Sequence, residues 1–164
     1  MSMMGHSLVV YEEEFERINS ILSRLWVDAN AKIVFLVDKN GQQIAAKGDL
    51  EKVDATSLAS LTAGNVAATD GLARLIGEKE FSILFHEGEK DNIHISIVSQ
   101  RLILVVIFDE RSSLGLVRLR VRKSAAELEE VLTLMASKAA QEGQAQPSPF
   151  AEITDEDIDA LFSE

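Results

Sequence analysis

Three runs between residues 81 and 108 leave this chain little topological freedom. FSILFHE (81–87), NIHISIV (92–98) and RLILVVIF (101–108) are rich in β-branched and aromatic residues, and only GEKD and then SQ separate them. A parallel crossover needs a dozen or more residues, so these short intervals restrict the three to an antiparallel meander. A hairpin precedes them. AKIVFLV (31–37) runs into DKNG, which places Gly41 where a tight turn needs positive φ, and QQIAAK returns, so residues 31–47 read as two further strands.

The remaining segments carry helical periodicity. YEEEFERINSILSRLWVDA (11–29) spaces Phe15, Ile18, Leu22, Leu25 and Trp26 as one helix face, with Glu12, Glu13 and Glu14 in the first turn, where the helix dipole favours negative charge. LASLTAGNVAATDGLARLIG (58–77) follows the hairpin, with Asp54 or Thr56 as its N-cap and Gly77 as its stop. From Ser112 or Ser113 the stripe Leu114, Val117, Val121, Leu128, Val131, Leu132 and Met135 predicts a last helix, although LVRLRVR alone alternates like a strand. The order α-β-β-α-β-β-β-α predicts an α+β sandwich: a five-stranded antiparallel sheet with helices on both faces.

Composition narrows the function classes. There is no cysteine, which excludes disulfides, thiolate metal sites and a thiol nucleophile and fits a cytoplasmic chain. No apolar run has the length of a membrane span, and MSMMGHSLVVYEEE lacks the form of a signal peptide. The net charge of −11 is uneven: residues 141–164 hold seven acids and no Lys or Arg, leaving −4 on the first 140 residues. Nucleic-acid binding needs a basic face, which this balance does not supply.

The inventory for catalysis is thin. His86 and His94 lie near or inside adjacent strands and, with Glu87, make the one metal arrangement worth weighing; no third ligand has matching spacing, and polar strand residues facing solvent or a partner is the simpler reading. GxxxxGK[ST] is absent, and Ser112 and Ser113 have no histidine nearby. Arg118, Arg120, Arg122 and Lys123 form a basic run, read as a solvated helix face. No catalytic, cofactor-binding or metal residue is assigned, and no cofactor is expected.

The helix of 58–77 is unusual in its small residues. Gly64 and Gly71 lie inside it, each costing roughly 1 kcal/mol relative to alanine. Leu58, Leu61, Ala68, Leu72, Leu75 and Ile76 lie broadly along one side, expected to pack on the sheet; Ala59, Ala63, Val66, Ala67, Asp70, Gly71 and Ala73 make the other. A helix apolar or small around most of its circumference is covered on both sides. Burial within its own domain is one account; pairing with a second copy or another protein is the other, and few elements remain in the chain to do the covering.

The end of the chain has its own pattern. QEGQAQPSP reads as a linker. Beyond it Thr154 begins a capping-box-like T-D-E-D, and Ile158, Leu161 and Phe162 fall on one helical side, with Phe150 and Ile153 just ahead. So short a helix is unstable alone in water, and apolar residues concentrated among acids have the form of a docking peptide rather than a solubility tail.

SLASLTAGNVAATDGLARLIGE and the element order resemble the roadblock / dynein light chain family. VFLVDKNGQ, FHEG, LVVIFD and SSLGLVRLR are more narrowly similar to its bacterial branch that regulates a small Ras-like GTPase of the MglA type, and SPFAEITDEDIDALFSE is similar to the end of some chains of that branch. The resemblance implies a homodimer in which Phe81, Ser82, Ile83, Leu84, Phe85 and His86 pair antiparallel with their copy, bringing the two helices of 58–77 side by side as a platform. It implies GTPase activation by two copies per GTPase without an inserted arginine, and a role in polarity and motility at a cell pole. Thr62, Ala63, Ala67, Asp70 and Gly71 are then the expected partner-binding residues on the platform, with Phe150, Ile153, Ile158, Leu161 and Phe162 in a carboxy-terminal helix docking on the GTPase. The implied division is a disordered start (1–7), a roadblock-like domain (8–140), a flexible linker (141–149) and an acidic amphipathic docking segment (150–164). A non-catalytic dimeric scaffold of the same family is the rival, and a small-ligand sensor would need a polar-lined pocket that the aliphatic strands do not offer.

Overall fold

The computed structural model describes residues 3–4, 8–9 and 12–145, with side chains from 12 to 141. Met3–Met4 and Leu8–Val9 form a two-residue ladder; the rest of the start expected to be disordered lies outside the described residues. Helix α1 spans Glu12–Asp28 and ends through Asn30 in the left-handed region (φ 51°), the Ala31 N–H donating to the Trp26 carbonyl and that of Asn30 to Val27.

Strands β1 (Ile33–Asp38) and β2 (Gln43–Gly48) make the expected hairpin, with Gly41 at φ 90°. The Asp38 carboxylate caps the turn, accepting from the backbone of Asn40 and Gln42. After a short 3-10 turn come α2 (Ala55–Leu75), β3 (Ile83–Glu87), β4 (Asn92–Val98), β5 (Leu102–Phe108) and α3 (Leu114–Ala145). The five strands form one antiparallel sheet in the order β2-β1-β5-β4-β3. The meander is therefore real, and the first hairpin joins it through β1 beside β5, with Phe35 opposite Val105.

Period-two alternation divides the core. Val34 and Leu36 of β1, with Leu102, Leu104, Val106 and Phe108 of β5, face α1 and α3, meeting Ile18, Leu22, Leu25, Val121, Leu128 and Val131. Ile33, Phe35, Val37, Ile103, Val105 and Ile107 face the other way, beneath α2 alone. Every residue of β1 and β5 is buried, as their continuous apolar text requires of strands covered on both faces.

The last helix starts where expected and ends later. LVRLRVR is helix from its first residue: Ser113 caps α3, its hydroxyl accepting from the Leu116 N–H, and Val117 and Val121 are buried one turn apart while Leu119 points out. That helix also runs five residues into the stretch expected as linker, because Gln141, Glu142, Gln144 and Ala145 are good helix formers around a single glycine. Residues 146–149 and the docking segment lie outside the described residues.

Candidate functional site

Helix α2 is fastened at both ends. Asp54 is its N-cap, its carboxylate accepting from the Ser57 N–H at 3.1 Å and the Ser57 hydroxyl at 2.7 Å. That second donor, with the backbone bonds, holds its carboxyl below the usual aspartate range. At the other end Gly77 (φ 85°) donates to the Arg74 carbonyl and Glu78 to that of Ala73, the paired bonds of a left-handed helix stop. Midway, the hairpin tip braces it: a Cβ on Gly41 would come within 3.3 Å of the Ser60 Cα.

The face that α2 lays on the sheet is largely not the one expected, Leu58 alone of the residues expected there packing against the sheet-side core. Ala59, Thr62, Val66 and Ala73 are buried, with Ala63, Thr69 and Asp70 half-buried beside them. Small side chains let the helix lie low over β-branched and aromatic strand residues. The large residues expected beneath it point outward: Leu61 is 73% exposed, Leu72 58%, Leu75 83% and Ile76 70%. Both sides are apolar in the text, so periodicity gave the helix but no direction. Outward with them go Gly64, Ala68 and Gly71, and a Cβ at either glycine would meet nothing within 4 Å among the described residues.

The expected platform residues separate accordingly. Ala67 and Gly71 are exposed, Asp70 and Ala63 are half-buried, and Thr62 is buried against the sheet, unavailable to a partner. Leu61, Gly64, Ala68, Leu72 and Leu75 replace it on the open face. The buried set 59, 62, 66 and 73 would have identified them had the smallness of those residues been read as close approach to a sheet.

The expected dimer strand lies at the sheet edge beside this face. Regular pairing runs from Ile83 to Glu87; Phe81 and Ser82 precede it, although the Ser82 carbonyl still accepts from the Ile97 N–H at 2.9 Å. That bond sets the phase of the ladder: Leu84 and His86 turn their backbone groups to β4, while Ile83, Phe85 and Glu87 turn theirs to the open edge. Asn65 of α2 ties the strand to the helix, its side-chain amide 2.9 Å from Nε2 of His86.

The two strand histidines do not converge. His86 pairs in register with Ile93, on the α2 side, whereas His94 pairs with Phe85 and faces α3. His94 is 1% exposed, and among the described residues neither ring nitrogen has a hydrogen-bond partner; burial, and secondarily the Arg118 charge, hold its pKa below the ordinary histidine value. Among the described residues no three metal-ligating side chains come together. On α3, Arg118, Arg122 and Lys123 are exposed and Arg120 is half-buried.

A family model described as the Roadblock/LC7 domain matches residues 18–108. Among solved structures the chain is similar to Myxococcus xanthus MglB, at 60% identity over 78% of this chain and 96% of that one, with a TM-score of 0.74. It is also similar to the gliding protein MglB of Thermus thermophilus, at 33% identity over 76% and 95%, TM-score 0.71. A structure described as MglB with tetrameric arrangement matches at 33% identity over 76% and 94%, TM-score 0.73. No curated protein matches. No helix among the described residues is long and apolar enough to cross a membrane.

Proposed function

The chain belongs to the Roadblock/LC7 family, and from that premise we propose that it is a GTPase-activating regulator of a small Ras-like GTPase of the MglA type. In this reading two copies pair through the open edge of β3, bring their α2 helices together, and receive one GTPase on the joint face. The setting is cytoplasmic, at a cell pole, in the control of polarity and motility.

The observation that carries the reading is the outward face of α2. Interior glycines weaken a helix, and nothing among the described residues occupies the space a side chain would fill at Gly64 or Gly71. Their use lies with whatever covers that face, alongside Leu61, Leu72 and Leu75. The neighbouring strand edge, with backbone groups of Ile83, Phe85 and Glu87 unpaired among the described residues, is a template for a second copy.

The mechanism is a population shift. In this reading no arginine of this chain enters the phosphate site, Arg74 of α2 included although it is exposed one turn beyond Gly71, and the GTPase supplies its own catalytic groups. A dimer that binds the hydrolysis-competent GTPase conformation more tightly than the relaxed one accelerates turnover by that difference, and a tenfold effect needs about 1.4 kcal/mol.

The test adds the dimer to a cognate GTPase at two copies per GTPase and follows phosphate release. Activation is expected. An unchanged hydrolysis rate with binding intact would instead make the protein a scaffold. Pairing is tested separately by Ile83→Pro, which removes an outward N–H from a half-exposed edge residue; light scattering should report the mass of one chain, and an unaltered dimer mass would exclude this edge.

A further inference from the structure

We propose that residues 150–164 seat on the basic outward band of α3 in their own chain when no GTPase is bound. Arg118, Leu119, Arg122 and Lys123 are exposed, with Leu119 60% exposed between the cations and Ala126 two turns beyond it. Among the described residues none of these three cations takes part in an ion pair. They occupy the second and third turns of a long helix, so the band draws anions through its side chains.

The chain holds a segment of matching chemistry. Residues 150–164 carry six acids and no cation, with Ile158, Leu161 and Phe162 spaced to share one helical side. That stripe suits Leu119 and Ala126, and the acids suit the flanking Arg118, Arg122 and Lys123. Glu129 and Glu130, exposed further along α3, repel the same segment and restrict it to the band.

The tether reaches. Ala145 stands about 33 Å along the helix from Lys123 and about 40 Å from Arg118 at 1.5 Å per residue. Residues 146–154 span up to about 30 Å when extended, and Asp155 to Asp159 carry the chain across the rest. Because α3 and α2 lie on opposite faces of the sheet, a segment seated there is withheld from the α2 side. The contact itself needs no GTPase; only its regulatory consequence rests on the function proposed above.

Amide hydrogen exchange on the full-length chain, alone in solution, tests the contact. Residues 155–162 should exchange about fivefold or more slowly than in a synthetic peptide of residues 146–164, as a tether with millimolar effective concentration gives for a sub-millimolar contact. The protection should vanish in Arg118→Glu/Arg122→Glu/Lys123→Glu and at 0.5 M salt, where screening is short-ranged, about 4 Å. If the triple reversal fails to fold, the corresponding glutamine variant, checked by circular dichroism, takes its place. Exchange in the intact chain as fast as in the peptide overturns the proposal, as does protection unchanged by the substitutions. Protection lost on dilution would put the segment on a second copy and overturn the same-chain contact. Absence of GTPase activation alters none of these readings.

Discussion

Helices α1 and α2 meet the same sheet from opposite sides and distribute their residues in opposite ways. Helix α1 buries Ile18, Ile21, Leu22 and Leu25 and sends most of its charges to solvent. Helix α2 buries Ala59, Thr62, Val66 and Ala73 and sends its leucines out. Among the described residues, α1 has its leucines and isoleucines covered, whereas α2 leaves Leu61, Leu72 and Leu75 open. The difference teaches that a helix can be tightly anchored and still be made for an outside surface.

The sharpest break in that comparison comes from deleting a core side chain. Leu22→Ala, at a fully buried position of α1, should cost about 2–5 kcal/mol in urea unfolding. Next comes Gly64→Ala/Gly71→Ala. Each Cβ enters open space, so the protomer should gain up to about 1 kcal/mol per site, while GTPase stimulation falls at least about tenfold as methyl groups hold the partner off. A double alanine variant that activates normally would show that the stripe is not a contact.

A smaller effect concerns the α3 side. His94 is buried and its pKa is depressed, so the unfolded chain binds its proton more readily than the folded one. Stability is then fully present above the unfolded value, about 6.5, and is lost as pH falls below it toward the folded value. Urea midpoints at pH 7.5 and 5.5 should differ in that direction, and His94→Asn should flatten the difference. Least of all, Leu61→Ser and Leu75→Ser should leave protomer stability within about 0.5 kcal/mol while weakening GTPase binding, the converse of Leu22→Ala.

The architecture was legible because strand spacing is a local constraint: GEKD and SQ admit nothing but hairpins, and Gly41 and Gly77 stand where the backbone needs φ above zero. The platform was legible only as a helix. Its direction was hidden because small and large apolar residues are equally compatible with a sheet, and the choice between them is made by the bulk of Phe35, Val105 and Ile107 underneath, which arrives from distant sequence. Thr62 illustrates the failure, since a polar residue on a small-residue helix was expected outside and is buried. The start of α3 was legible despite the alternation in LVRLRVR, because the Ser113 cap and the longer stripe through Val117 and Val121 outweigh it.

The bracing of α2 by its cap, by the hairpin tip at Gly41 and by the Gly77 stop bears on how fast a visitor can come and go. A surface already ordered before contact demands no folding of either partner's helix at encounter, so capture need not wait on a rearrangement of this protein. Because no ordering has to be supplied at contact, more of the contact free energy also remains to slow departure.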